Sequence, residues 1–257
     1  MGIKPDLSSK KQRLDRLLVD RGVAPSRQRA RAMIMAGKIL VNNRPADKAG
    51  FLVAKDDSIE LRGQDIPYVS RGGLKLEGAL KSLELNPAGC ICLDVGASTG
   101  GFSDCLLQNG AARVYAVDVG YGQLAWKLRQ DSRVVVIERT NIRHMPADVI
   151  TEPVDFATID VSFISLKIVV PAVVAFLKTG ARVLALIKPQ FEVGKDQVGK
   201  GGVVRDEKLH TRVIQNLAAF FTQSGFTCQA VIPSPILGPK GNREFFILLR
   251  KKREGSA

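Results

Sequence analysis

The sequence predicts an α/β protein, a doubly wound sheet preceded by a small α+β module. Three observations predict it. Beyond Tyr68 lie seven short apolar runs of strand character, at Ile91–Val95, Val114–Val117, Val134–Ile137, Phe156–Ile159, Val183–Ile187, Cys228–Ile232 and Phe245–Leu249. Helical stretches separate most of them, including Leu124–Arg129, Leu166–Leu177 and Leu209–Phe221, and such alternation builds a sheet with helices on both faces. The first run ends in a glycine loop that opens a helix, the start of a Rossmann-like unit. Residues 1–67 differ: their elements are shorter and their positive charge is denser, which sets them apart from residues 68–257.

In the N-terminal part, Leu14, Leu17 and Leu18 form an apolar stripe at helical spacing that Gly22 ends. Pro25-Ser26 opens a second helix, with Ser26 as N-cap, running to Ala36-Gly37. Its cations Arg27, Arg29 and Arg31 interleave with Ala30, Met33 and Ile34. A strand at Ile39–Val41, an Asn42-Asn43 turn and further short strands near Phe51–Val53 and Ser58–Leu61 complete it. Residues 1–67 carry 14 Lys and Arg against 8 Asp and Glu. Three blocks in order, Arg13-Leu14-Asp15, Ser26 to Arg31 and Gly37 to Asn42, resemble the S4-like RNA-binding domain. That resemblance implies an RNA contact through Arg13, Arg27, Arg29, Arg31 and Lys38, and Arg forks suit phosphate geometry. A solvated basic helix is the plainer alternative.

The glycine loop of the larger part reads Leu93-Asp94-Val95-Gly96-Ala97-Ser98-Thr99-Gly100-Gly101-Phe102. Its G-x-x-x-G-G spacing lacks the second glycine of the dinucleotide fingerprint, which disfavours an NAD-linked oxidoreductase. Asp94 within the first run and Asp118 after the second fit S-adenosylmethionine better. That cofactor offers a ribose diol to an acid and has no phosphate to cradle. Gly96, Ala97, Ser98, Gly100 and Gly101 then border the methionine moiety. Asp118 takes the diol, and Asn141, after the third run, reads the adenine edge. Tyr121 is a weaker stacking candidate. The seventh run, joined to the sixth by a loop, suits the methyltransferase variant of the sheet, with an antiparallel hairpin at one edge.

Four charged residues stand where a core alone does not explain them. Lys75 opens a helix in Ser70-Arg71-Gly72-Gly73-Leu74-Lys75-Leu76, Asp160 ends the fourth run, Lys188 ends the fifth, and Glu244 precedes the last. Strand-end charges fall on the ligand side of a parallel sheet. The motifs around them, with Asp160-Val161-Ser162-Phe163-Ile164-Ser165 and Lys188-Pro189-Gln190-Phe191-Glu192 in order, resemble the TlyA group of ribosomal-RNA 2′-O-methyltransferases. That group joins an S4-like domain to a methyltransferase domain of the FtsJ type and was historically labelled hemolysin. The resemblance runs from about Gln12 to Leu249 and implies a Lys-Asp-Lys-Glu tetrad at Lys75, Asp160, Lys188 and Glu244. It also implies transfer of methyl from S-adenosylmethionine to a cytidine ribose in ribosomal RNA or ribosomal subunits. A lysine beside a second cation gives up its proton more readily, while an acid beside it opposes this. On that chemistry Lys188 accepts the hydroxyl proton, Asp160 and Glu244 orient it, and Lys75 holds the ribose.

Composition bounds the remaining possibilities. The chain has 257 residues, 45% hydrophobic and 25% charged, with a net charge of +13. That excess favours a polyanionic partner, with an anionic membrane or a merely solvated surface as alternatives. No run of 18 apolar residues and no signal-peptide core occurs, so the expected setting is cytoplasmic and membrane lysis lacks a visible device. Cys90, Cys92, Cys105 and Cys228 include no C-x-x-C pair and read as buried thiols. His144 and His210 have no metal spacing, and no metal is expected. The basic, glycine-rich segment Phe191 to Arg205 reads as a flexible loop able to close on RNA. A non-catalytic RNA-binding or ribosome-assembly factor on the same fold is the main competing reading.

Overall fold

The computed structural model describes residues 11–35, 37–62 and 66–252. The terminal cation Arg253 and Ala36, at the predicted end of the second helix, fall outside them. The chain divides into two compact units, Met1–Asp65 and Ile66–Ala257.

In the first unit, β1 (Gln12–Arg13) leads directly into α1 (Leu14–Asp20), and α2 covers Arg27–Met35. The Ser26 hydroxyl accepts from the Arg29 N–H at 3.2 Å, capping α2. β2 (Ile39–Val41) is flanked by β3 (Arg44–Pro45) and β5 (Ile59–Leu61), all antiparallel. Asn42 and Asn43, at φ 49° and 61°, make the tight turn between β2 and β3, a conformation asparagine tolerates. β4 (Leu52–Val53) pairs with β1, a strand too short to have a sequence signature. Leu14, Leu18, Ile34, Ile39 and Val53 are wholly buried and form one core.

The second unit is a seven-stranded sheet. Its elements are α3 (Arg71–Ser82), β6 (Ile91–Val95), α4 (Gly101–Gln108), β7 (Arg113–Val117), α5 (Trp126–Arg129), β8 (Val134–Ile137) and β9 (Val154–Ile159). They continue with α6 (Leu166–Val173), β10 (Leu177–Ile187), α7 (Glu207–Gln223), β11 (Phe226–Pro233) and β12 (Phe245–Lys251). The strand order is β11-β12-β10-β9-β6-β7-β8, parallel from β10 to β8, with β12 antiparallel between β10 and β11. This is the Rossmann-like methyltransferase sheet, with the antiparallel hairpin at one edge.

Side chains alternate across each strand, so one apolar run feeds two cores. Leu93, Val95, Ala157 and Ile159 face α6 and α7. Cys92, Phe156, Leu184 and Phe246 face α3, α4 and α5. Asp94 points to the second face, fully buried, where the Ser103 hydroxyl donates at 2.7 Å and Thr158 at 3.1 Å. Burial pushes the Asp94 carboxyl up to about 6, against the pull of those two hydroxyls. Cys92 and Cys105 are buried thiols, while Cys90 and Cys228 are half-buried.

Two helices are shorter than their apolar periodicity predicts. The Leu166–Leu177 stretch is α-helical only to Val173, passes through a 3₁₀ turn at Val174–Phe176 and enters β10 at Leu177. Pro171 inside the helix removes a backbone donor, which weakens its last turn. In the Leu124–Arg129 stretch only Trp126–Arg129 is helical. Leu124 is buried instead as an anchor, and with Leu128 it packs where a Cβ on Gly100 would sit, at 2.8 and 2.2 Å. Among the described residues no helix is long and apolar enough to cross a membrane.

Candidate active site

Topology brings the charged strand ends to one edge of the sheet. Asp160 and Lys188 follow the last residues of the parallel strands β9 and β10. Because β12 is antiparallel, its beginning lies at that same edge. Ile187 pairs with Phe245, so Lys188 and Glu244 both stand just beyond one register pair. Lys75 comes from the second turn of α3, whose buried face also carries Leu76, Ala79 and Leu80.

The four residues form two ion pairs. Lys188 Nζ lies 2.5 Å from Asp160 Oδ1 and donates to the Ser162 hydroxyl at 3.0 Å. The Asp160 contact is an ion pair without hydrogen-bond alignment, and Asp160 Oδ1 has no hydrogen-bond donor among the described residues. Lys75 Nζ donates to Glu244 Oε2 at 2.6 Å, with the Glu244 side chain wholly enclosed. Glu244 therefore orients Lys75 rather than Lys188. Sequence alone offers two lysines to this acid, and the depth of α3 against the sheet selects the nearer.

The glycine loop meets these pairs directly. The Asp160 N–H donates to Val95 O at 2.9 Å, which sets Asp160 beside Gly96. Gly96 has φ +83°, and a Cβ there would lie 2.5 Å from Asp160 O, so glycine is required twice over. Gly101 is also constrained, since its Cβ would meet Ser70 Oγ at 2.2 Å. A cavity of about 430 Å³ opens between the loop and the ion pairs. Lys75, Asp160 and Lys188 line it together with Gly96, Ala97, Ser98 and Gly101. Leu237, Gly238, Pro239, Ser70 and Arg71 also line it.

Asp118, Asn141, Gly100 and Glu244 are not among the lining residues. Asp118 is adjacent: its Oδ2 accepts from the Ser98 N–H and its Oδ1 from the Gly120 N–H, both at 2.7 Å. It thus ties the glycine loop to the next loop of the same edge. The Asn141 Oδ1 is used in capping a 3₁₀ turn, accepting from the Arg143 N–H at 3.1 Å. Tyr121 is exposed, with the Arg139 guanidinium 4.1 Å above its ring. His210 is buried against Val204 O at 2.9 Å, and His144 is exposed. Among the described residues no cluster of His, Cys, Asp and Glu could hold a metal ion.

Sequence reasoning missed an aromatic step beside the site. Phe163 is 90% exposed at φ 64°, a conformation bulky residues seldom hold. Its ring packs on that of Phe191, centroids 4.8 Å apart. Each phenylalanine stands three residues after a charged strand end, in Asp160-Val161-Ser162-Phe163 and Lys188-Pro189-Gln190-Phe191, and that shared spacing was the available signal. Glu192 clasps the same two segments, accepting from the Ser165 hydroxyl at 2.6 Å and the Leu166 N–H at 2.8 Å. Burial pushes its carboxyl up.

The segment Phe191 to Arg205 is fastened at its far end rather than loose. Val203 and Val204 are buried, and Asn242 accepts from the Val204 N–H at 3.1 Å while donating to Gly202 O at 3.0 Å.

In the first unit the arginines are organised by an acid. Asp15, wholly buried on α1, accepts from Arg13 Nε and Nη2 at 3.0 and 3.1 Å, Arg27 Nη2 at 3.1 Å and Arg31 Nε at 3.1 Å. Hydrogen bonding from Arg13 first, then from Arg27 and Arg31, holds its carboxyl far below the usual range against the opposing effect of burial. Arg29 and Lys38 are half-buried on the same unit.

Comparison with known proteins agrees with this architecture. Residues 68–251 match the FtsJ-like methyltransferase family and residues 12–59 match the S4 domain. The chain is 46% identical over 247 residues to the 16S/23S rRNA (cytidine-2′-O)-methyltransferase TlyA of Mycobacterium tuberculosis, covering 96% of this chain and 92% of that protein. It is 50% identical over 250 residues to YqxC of Bacillus subtilis, named as a candidate rRNA methyltransferase, covering 97% of this chain and 89% of that one. A solved structure from Streptococcus thermophilus, described as a candidate hemolysin, superposes with a TM-score of 0.75 at 44% identity, over 95% of this chain and 90% of its own.

Proposed function

The chain belongs to the FtsJ-like methyltransferase family and carries an S4 domain ahead of that fold, and on this premise we propose that it methylates a ribose 2′-hydroxyl in ribosomal RNA. The donor is S-adenosylmethionine, the target nucleoside is cytidine, and the partners are ribosomal RNA or ribosomal subunits in the cytoplasm. The observation that carries the reading is the pair of lysine–carboxylate contacts at one sheet edge, opening into the cavity beside the glycine loop. The names of the relatives support ribosomal RNA and the cytidine 2′-oxygen.

The residues present fit the donor. A cavity of about 430 Å³ is of ligand size, and the glycine loop lines it through Gly96, Ala97, Ser98 and Gly101. Gly96, Ala97, Ser98, Gly100 and Gly101 would border the methionine portion, Asp118 would accept from the ribose diol, and Asn141 would meet the adenine edge. When bound, S-adenosylmethionine supplies a methyl group already activated by its positive sulfur.

The protein's own work is then orientation and proton handling. A ribose hydroxyl is a poor nucleophile until its proton has somewhere to go. As the oxygen–methyl bond forms, that proton passes to Lys188, the member of the Lys188–Asp160 pair that faces the ribose. The Ser162 hydroxyl and the Asp160 carboxylate hold Lys188 Nζ in place, and the carboxylate offsets the charge that Lys188 gains with the proton. Lys75, held by Glu244, presents a cation to the ribose from the same cavity. Phe163 offers a flat apolar face for a base, and the Asp15-centred arginines with Arg29 and Lys38 grip phosphates.

The test is transfer of isotope-labelled methyl from the donor to ribosomal subunits, followed by digestion to nucleosides. Label on the ribose of cytidine supports the reading. Label on a base overturns it.

A further inference from the structure

Glu244 is enclosed with one oxygen, Oε2, on Lys75 at 2.6 Å, while the other, Oε1, has no hydrogen-bond donor among the described residues. That second oxygen lies against Gly238. A Cβ built on Gly238 would stand 2.0 Å from Oε1, 2.4 Å from Cδ and 3.1 Å from Cγ of Glu244. The backbone at Gly238 does not ask for glycine: φ −70° and ψ −176° are open to any L residue. The carboxylate asks for it. Gly96 is different, because there the positive φ alone would select glycine.

Hydrogen bonds tether the segment that carries Gly238, although its Leu237 is exposed. The Ser234 N–H donates to Glu244 O at 2.8 Å, and the Gly238 N–H donates to Asn242 O at 2.9 Å. Arg71 Nη2 donates to Leu237 O at 3.2 Å. Pro235 sits on α3 so closely that a Cβ on Gly78 would lie 2.6 Å from its Cγ. A side chain at 238 would therefore press on the carboxylate while these contacts resist movement of the segment.

We propose that Gly238 is a positioning residue: its missing side chain sets the Glu244 carboxylate, and through it the Lys75 ammonium, at the edge of the cavity it helps to line. The proposal rests on the assignment of the Lys75–Glu244 pair to the methyl-transfer site. Restoring ordinary contact would shift the carboxylate by roughly 1 Å, and a misplacement of that size at a reacting centre costs about 10²-fold in rate.

The experiment is a double-mutant cycle of wild type, Gly238→Ala, Glu244→Ala and the double variant. Three quantities are read: methyl-transfer rate, binding of S-adenosylhomocysteine by calorimetry, and the urea midpoint of unfolding. Gly238→Ala should lose about 10²-fold in rate with product affinity kept, and its urea midpoint should fall. In the Glu244→Ala background, where the carboxylate no longer occupies the space, adding Gly238→Ala should leave the midpoint unchanged. An equal penalty in both backgrounds overturns the proposal, since Gly238 would then serve the backbone or the cavity and not Glu244. If Gly238→Ala alone does not fold, recovery of folding in the double variant supports it and failure to recover overturns it. The stability cycle reads this coupling even if no RNA is methylated, so loss of the catalytic reading and loss of the proposal give different results.

Discussion

Replacing Asp15 by Asn isolates what holds the arginine cluster of the first unit together. The amide is nearly isosteric, so packing is kept while one buried negative charge is removed from among three guanidinium groups. Those groups are held by one carboxylate at 3.0–3.1 Å and are about half exposed, at 46, 53 and 53%. Breaking a fully buried pair costs about 3–5 kcal/mol; with solvent screening the arginines, about 1–3 kcal/mol is expected here. The pH dependence fixes the cause. Asp15 titrates lower in the folded protein than in the unfolded chain, so its contribution is fully present above the unfolded value of about 4 and is lost as pH falls through the folded one. Urea unfolding of the full chain, followed by circular dichroism from pH 7 downward, should show the gap between wild type and Asp15→Asn narrowing below pH ~4. The variant should also bind ribosomal RNA more weakly although its net positive charge has risen by one, because the arginines no longer hold one geometry. A pH-independent gap, or tighter RNA binding, would refute the reasoning.

Asp118→Ala should weaken donor binding by about 1–3 kcal/mol in calorimetry, toward the upper end because the same carboxylate also accepts from the Ser98 and Gly120 N–H groups. Phe163→Ala should weaken RNA binding by about 1–3 kcal/mol, the scale of one base–aromatic stack, while Phe163→Gly should raise the urea midpoint by relieving the positive φ and lose the same affinity. Replacing Arg27, Arg29 and Arg31 together by Ala should flatten the salt dependence of RNA binding in filter or fluorescence titrations and leave S-adenosylhomocysteine affinity unchanged.

Much of the larger unit was legible because its strands are buried on both faces and end in a single charge. Leu93 to Phe102 reads as strand, glycine loop and helix, and Asp160 and Lys188 stand out as polar stops to apolar runs. What could not be read is partnership across the fold. Glu244 is as plausible a partner for Lys188 as for Lys75 until β12 is placed beside β10 and α3 is laid against the sheet. Apolar periodicity also runs on through Val174–Phe176, since a 3₁₀ turn buries much the same side chains as an α-helical one. Charge was misread where burial was decisive. Asp15 sits in a motif read for its arginine, yet it is the group around which three arginines assemble. The segment ending at Arg205 looked loose because its glycines dominate, while two valines and a distant asparagine secure it.

The most direct test of the account is to map 2′-O-methyl groups in ribosomal RNA from cells lacking the gene, complemented with wild type or with Lys188→Ala. General acid–base groups are worth about 10²–10⁴-fold, so the account predicts a cytidine 2′-O-methyl that wild type restores and Lys188→Ala does not, with the variant folded and still binding S-adenosylhomocysteine. Restoration of that methyl group by Lys188→Ala, or the absence of any 2′-O-methyl that depends on the gene, would contradict it.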